Sequence, residues 1–255
     1  MGNNNRRSFL GKALIAGSAA ALAACDKLNR SESFKSLLDT ANKPTEEAFG
    51  ILTTDNALAQ EFTEADLSPV FKANGSTNPK TPEYLELLAN NFADYRLKVF
   101  GLVASPISLS LDELRALPSR TQITRHDCVE GWSCIGKWKG TPLGKLLDRT
   151  RPLMNAKFVV FHCADSYHHD ENRYYESIHL SEAYHPQSIL AYDMNDKVLD
   201  VPHGAPLRVR LERKLGYKMA KYIVGIELVE SLAGIGKGNG GFWEDDQRYQ
   251  WHGGI

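Results

Sequence analysis

The chain has 255 residues, 42% of them hydrophobic, which suffices for one full core and is too apolar for a disordered or fibrous protein. Lys and Arg number 30 against 31 Asp and Glu, a formal charge of −1. No bulk cationic field points to nucleic acid.

Residues 1–25, MGNNNRRSFLGKALIAGSAAALAAC, carry no acidic residue before Cys25 and hold an apolar stretch too short and too rich in Gly and Ala to span a bilayer. Arg6-Arg7-Ser8-Phe9-Leu10 resembles a twin-arginine export signal, and Leu22-Ala23-Ala24-Cys25 resembles a lipobox. Together they predict a periplasmic lipoprotein anchored to the membrane through Cys25. Without Arg6, Arg7 and Lys12, 27 basic residues face 31 acidic ones, a net charge of −4. Export in the folded state favours a cofactor inserted before export. Three cysteines remain, Cys128, Cys134 and Cys163; that odd count leaves at least one thiol outside any disulfide. No CxxCH haem motif is present.

Residues 26–44 read as a polar tether, and 45–255 as a single mixed α+β domain. Weak helical patterns over 45–70 end at Pro69, and FKANGSTNPKTPEY reads as loop. RLKVFGLV is a strand that stops at Ala-Ser-Pro. Ser110 to Glu113 form a capping box that opens a helix through Leu117, and Thr141-Pro142 places proline at the first position of a helix over PLGKLLDRT. KFVVFHC and SILAYDM read as strands, with a short helix at SEAYHP between them. In the stretch from Val201 to Glu230, Leu207, Val209 and Leu211 fall on one strand face and Arg208 and Arg210 on the other. The tail is rich in glycine and aromatics.

Three constellations carry chemistry. RHDCVEGWSCIGKWKG sets Cys128 beside Arg125 and His126, whose positive charge favours a thiolate; a buried structural cysteine is the competing reading. FHCADSYHHDE has the residue types of a zinc or copper site, but its adjacent ligand pairs, His162-Cys163 and His168-His169, would point to opposite faces of a strand. The basic run from His203 to Lys221 suits an anionic group such as a phosphate, or a solvated face paired with carboxylates.

Taken in order, RLKVFGLVASPISLSLDELRALP, RHDCVEGWSCIGKWKGTPLGKLL and HGAPLRVRLERKLGYKMAKYI resemble the molybdopterin-binding domain of the sulfite oxidase family. The likeness is strongest to its compact bacterial periplasmic members, among them methionine-sulfoxide reductase catalytic subunits. The resemblance implies Mo-molybdopterin as cofactor, with Cys128 as the protein ligand to molybdenum. It places Asn74, Thr77, Asn78, Cys163, His203, Arg208 and the segment Lys218-Met219-Ala220-Lys221 at cofactor-contacting positions, with Met219-Ala220-Lys221 matching the stretch whose backbone and lysine hold the pterin phosphate. Arg125 and His126 become tuning groups beside the metal, with Cys163.

Glu130, two residues beyond Cys128, argues against sulfite, because a carboxylate repels a dianion. The C-terminal immunoglobulin-like dimerisation domain of the large enzymes is missing, which implies a monomer. The expectation is an exported molybdenum-pterin oxidoreductase that transfers an oxygen atom on a small or protein-borne substrate. Its electrons would pass through a separate cytochrome or quinone-linked membrane partner. The alternatives are a non-redox lipoprotein that binds a pterin-like or phosphorylated ligand, and a zinc- or thiol-dependent hydrolase.

Overall fold

A computed structural model describes residues 31, 57–167 and 172–255. The export signal, the lipobox with Cys25, the tether and the patterns up to residue 56 lie outside the described residues, apart from Ser31, and so do His168, His169 and Asp170. Asp55–Ile255 forms one compact unit, and the description is of that unit.

Its strands are β1 (Leu97–Gly101), β2 (Ile107–Leu109), β3 (Arg120–Asp127), β4 (Ser133–Pro142), β5 (Phe158–Ser166), β6 (Arg173–His179), β7 (Ile189–Met194), β8 (Lys197–Val198), β9 (Arg208–Arg210) and β10 (Ile223–Val229). The helices are α1 (Pro82–Ala89), α2 (Leu111–Arg115), α3 (Leu143–Thr150), α4 (Leu180–Ala183) and α5 (Phe242–Gln247). One sheet runs β2-β1-β10-β5-β6, with β1 and β10 parallel and its other pairs antiparallel. The other runs β3-β4-β7-β8, with β9 also on β7. The unit is α+β, and no immunoglobulin-like sandwich is appended among the described residues.

The main core takes side chains from both sheets and from α3: Leu97, Phe161, Ile178, Leu190, Val209, Ile226, Leu143 and Leu146 are all part of it. Because side chains alternate along a strand, β7 and β9 each serve two layers. Leu190 and Val209 face the main core, while their neighbours Ile189 and Ala191 join Phe71, Trp138, Met194 and Leu199 in a second cluster. Paired residues share a face, and Arg210 pairs with Ile189 and Arg208 with Ala191. Both arginines therefore sit on the Trp138 side, fully buried. The face expected to hold them toward solvent or an open anion site is an interior one.

The capping box holds: Ser110 Oγ accepts from the Glu113 N–H at 3.2 Å, and the Glu113 carboxylate accepts from the Ser110 N–H at 2.8 Å. The helix it opens stops at Arg115, short of Leu117. Pro142 ends β4 and is the N-cap of α3, one position before its first turn. Prolines at a helix entry tolerate that shift because the lost N–H is unpaired there anyway. The stretch read as loop through Tyr84 instead begins α1 at Pro82.

The hairpin β3–β4 was not legible as strand. Its inward residues on β3 are Gln122, Thr124 and His126, so the apolar alternation that marks a strand is absent. Those polar groups are buried against β9. Arg210 donates to both oxygens of Glu212, at 3.0 and 2.6 Å, and to His126 Nδ1 at 3.0 Å; Gln122 donates to Glu212 at 2.8 Å. Arg208 and Arg210 also lie over the Trp138 ring, 5.0 and 4.4 Å from its centroid.

Removing one member of a buried ion pair strands the other charge and costs about 3–5 kcal/mol. Glu212→Gln is expected to lower the unfolding free energy in urea by that amount. The double variant Arg210→Met with Glu212→Leu should recover most of it.

Candidate functional site

The tip of the β3–β4 hairpin carries Cys128. Its N–H donates to the Trp132 carbonyl at 2.9 Å, and the Gly131 N–H donates back to the Cys128 carbonyl at 3.0 Å. Gly131 closes this turn at φ +84°, a conformation other side chains rarely adopt. Cys128 is buried, and burial pushes its thiol up. It forms the floor of a cleft. Asn74 and Gly75 come to that cleft from the loop before α1, Asp165 and Tyr167 from the end of β5, and Tyr174 from β6. Gly216, Tyr217, Met219 and Lys221 arrive from the segment after β9, and Trp243 and Tyr249 from the tail.

Of the residues singled out from the sequence, Cys128, Asn74, Met219 and Lys221 meet in this cleft. The Asn74 amide donates to the Gly216 carbonyl at 3.4 Å, while its Oδ1 is buried without a hydrogen-bond partner. Lys221 Nζ donates to the carbonyls of Asn74 at 2.7 Å, Pro202 at 2.9 Å and Ser76. Burial pulls the pKa of Lys221 down to about 7.

A second layer lies behind. Arg208 is fully buried, donates to the His203 carbonyl at 3.0 Å and keeps its Nε unpartnered; burial, with Arg210 alongside, lowers it to about 9. His203 is pinned between Asp200, 2.6 Å from Nδ1, and the Phe71 carbonyl, 3.0 Å from Nε2. His126 is buried, and desolvation together with Arg210 and Arg208 holds it neutral, well below its usual pKa. Arg125 turns outward to Asp127 at 2.9 Å. The positive charge expected beside Cys128 is thus supplied by neither neighbour. The exposed Arg125 is neutralised by Asp127, and His126 cannot protonate in a dry site beside two guanidinium groups.

The remaining positions fall elsewhere. Thr77 and Asn78 are exposed and outside the cleft lining. Cys163 and Ala220 belong to the main core, with the Cys163 thiol pushed far up by burial. Lys218 is enclosed by two carboxylates, Glu176 and Glu244, the latter at 2.8 Å. His162 bonds Glu227 at 2.9 Å while Cys163 is interior, so this adjacent pair splits across the strand. Among the described residues no group of three His, Cys, Asp or Glu is placed to hold a metal ion. Cys128, Cys134 and Cys163 are free thiols.

Sequence reasoning missed Asp165. It is 2% exposed, lines the cleft and has a buried Oδ1 with no partner; burial raises it to about 7. The available signal was one acidic residue ending an apolar strand. It also missed Tyr167, Tyr174, Trp243 and Tyr249, which no local pattern ties to Cys128. At the rim, the Glu130 carboxylate accepts from Trp132 Nε1 at 2.8 Å and from Lys72 at 3.4 Å, and Lys72 lies 4.8 Å from the Trp132 ring centroid. The repulsion expected of Glu130 is partly offset by that lysine.

A family model described as the oxidoreductase molybdopterin binding domain matches residues 85–233. A candidate protein-methionine-sulfoxide reductase subunit, YedZ1, of Azospira oryzae is 36% identical over 249 residues, which cover 98% of this chain and 87% of the relative. The methionine-sulfoxide reductase catalytic subunit MsrP of Xanthomonas axonopodis is 40% identical over 147 residues, 54% of this chain and 46% of its own. That of Campylobacter jejuni is 33% identical over 56% of this chain and 52% of its own. The chain thus spans about half the length of the MsrP subunits it matches. The crystal structure of the sulfane dehydrogenase SoxCD from Paracoccus pantotrophus shares 20% identity, with a TM-score of 0.49 over 54% of this chain and 39% of that one.

Asp165 sets a pH signature on the cofactor-free protein. With its pKa raised by burial, the folded state keeps a proton between pH ~4 and ~7 that the unfolded chain has released, so its contribution to stability falls as pH rises through that window. In cofactor-free protein, Asp165→Asn is expected to shift the urea midpoint above wild type at pH 8. The two midpoints should converge as pH is lowered to ~4.

Proposed function

Because the chain belongs to the oxidoreductase molybdopterin-binding family, we propose that it reduces sulfoxides, with methionine sulfoxide in polypeptides as the substrate class. It is an oxidoreductase that carries Mo-molybdopterin. The substrate is supported by the names of its relatives, a methionine-sulfoxide reductase subunit matched along nearly the whole chain and shorter matches to catalytic subunits.

The residues present fit that cofactor. The observation that carries this is a pair of buried polar atoms in the lining of the cleft that Cys128 shares, Asn74 Oδ1 and Asp165 Oδ1, for which the described residues supply no partner, with Arg208 Nε unpartnered in the layer behind. An unpaired buried polar group costs about 1–3 kcal/mol, so several in one place mark where a ligand completes the hydrogen bonding. Cys128 would supply the thiolate ligand to the metal, and its two backbone bonds hold it at the hairpin tip. Lys221 is a buried amine of the cleft whose pKa desolvation lowers to about 7, and an anionic phosphate beside it would favour its charged form; Arg208, lowered to about 9, adds a buried cation in the layer behind. Asn74 and Asp165 offer acceptors to the N–H groups of the pterin.

When bound, the cofactor supplies a metal that changes by two electrons and exchanges an oxygen atom. The overall reaction consumes a sulfoxide, two electrons and two protons and yields a thioether and water. The chain's own part is to orient and to exclude water. The Arg210–Glu212–His126 network fixes the hairpin that bears Cys128, and the neutral His126 adds no charge near the sulfur. Glu130, Trp132 and Lys72 form the outer rim, where an incoming peptide would meet both a hydrogen-bond acceptor and an exposed cation.

The electrons come from a separate membrane-bound cytochrome or quinone-linked protein. Export by the twin-arginine signal, attachment through Cys25 and a monomeric state complete the proposal, and they rest on the sequence of residues 1–25 and on the resemblance described for the chain.

Metal and pterin analysis of the purified protein is expected to give molybdenum and pterin in equal amounts. Cys128→Ser should lose sulfoxide reduction with reduced viologen as donor while retaining its fold. Stoichiometric zinc without pterin would overturn the assignment. Labelled fatty acid should enter the exported protein, and Cys25→Ala should release it from the membrane fraction; normal processing without label would mean no anchor.

A further inference from the structure

The family match ends at residue 233, yet two residues lining the cleft come from beyond it. Helix α5 brings Trp243 to the cleft and Tyr249 follows two residues after the helix ends. Their rings join those of the body. Trp243 meets Tyr167 edge-on at 5.0 Å and stacks with Tyr249 at 5.9 Å; Tyr249 meets Tyr217 edge-on at 5.1 Å, and Tyr174 packs on Tyr167 at 5.6 Å. Five aromatic side chains thereby form one continuous surface on the cleft that Cys128 also lines.

Three of their hydroxyls are committed to backbone. Tyr174 donates to the Tyr217 carbonyl at 2.6 Å, Tyr217 donates to the Gln250 carbonyl, and the Tyr167 oxygen accepts from the Ser76 N–H at 2.8 Å. The Tyr174 and Tyr217 hydroxyl protons are thereby withheld from the cleft, so these two side chains offer it ring surface. The tail is also mounted rigidly on either side of Trp243. Glu244 is buried against Lys218, which Glu176 holds from the other side, and Asp245 accepts from the Tyr175 hydroxyl and from the Lys237 N–H at 2.7 Å. The Ser177 hydroxyl donates to the Gly240 carbonyl, and Glu176 bridges to Gly241. A side chain fixed by buried charge on its own helix is positioned before any ligand arrives.

Such a wall has a definite chemical preference. The S-methyl group of a methionine side chain gains contact with aromatic edges and faces, while a sulfoxide oxygen is polar and is not satisfied by ring surface. A compact oxyanion must be surrounded by donors, and the ring faces that make up most of this wall supply none. We propose that Trp243 and Tyr249 are specificity-determining residues: the tail receives the methyl-sulfoxide end of the substrate side chain and disfavours charged oxyanions. This rests on the sulfoxide reading of the site and adds the element that selects for it.

The test compares wild type with Trp243→Ala, Tyr249→Ala and Trp243→Phe, each loaded with molybdenum and checked for thermal unfolding. With N-acetylmethionine sulfoxide methyl ester and reduced viologen, both alanine variants are expected to raise KM about tenfold while kcat changes less than about twofold. The product analogue, N-acetylmethionine methyl ester, titrated by tryptophan fluorescence on wild type and Tyr249→Ala, should bind about tenfold more weakly to the variant. Trp243→Phe should keep most of the affinity. Unchanged KM and binding in folded, loaded alanine variants would overturn the inference while leaving sulfoxide reduction intact. A loaded wild type that reduces no sulfoxide would overturn both.

Discussion

Two guanidinium groups buried side by side are the constraint around which this molecule is arranged. Arg208 and Arg210 lie on the interior face of a three-residue strand, with no exposure to water. A charge in that position is tolerable only where partners surround it. Arg210 has them in Glu212, His126 and the Trp138 ring, and those contacts tie β9 to the β3–β4 hairpin. The hairpin tip carries Cys128, so the same network that balances Arg210 also fixes the floor of the cleft. Arg208 is the less satisfied of the two, with an unpartnered Nε and a pKa lowered by burial.

Electrostatics and shape then divide the cleft between two tasks. On the side of the 74–76 loop and the end of β5 are acceptors and cations held in low dielectric: Asn74, Asp165, Lys221 and, behind them, Arg208. Their unmet hydrogen bonds suit a polar, phosphorylated cofactor. On the tail side are ring surfaces, with the Tyr174 and Tyr217 hydroxyls engaged on backbone carbonyls, suited to packing an S-methyl group. Cys128 is shared by both. The buried Lys218 belongs to neither wall directly; clasped by Glu176 and Glu244, it anchors the tail that carries the aromatic wall.

Particular residues show why legibility was uneven. The strand over Phe158–Ser166 was plain because its core-facing residues are apolar, and α2 because Ser110 and Glu113 cap each other. The hairpin β3–β4 escaped because its inner face is Gln122, Thr124 and His126, and polar residues inside a strand erase the periodic signal. The arginines of β9 showed their alternation but not their burial: nothing in RVR tells which face will be covered. Asp165 and the aromatic tail were invisible as site residues, because their relevance lies in proximity to Cys128 across more than thirty and more than a hundred residues of chain.

Local order in the chain therefore settled the family and the α+β class, since short motifs such as CVEGWS and HGAPLR carry the resemblance in their residues and spacing. Which charges are buried, which of the expected residues reach the cleft and which side chains share it with Cys128 were decided by tertiary packing. The physical reason is that desolvation and hydrogen-bond satisfaction are properties of an environment. Arg125 and His126 are neighbours in sequence, yet one is solvated and paired and the other dry and neutral, a difference that only the closing of β9 against the hairpin creates.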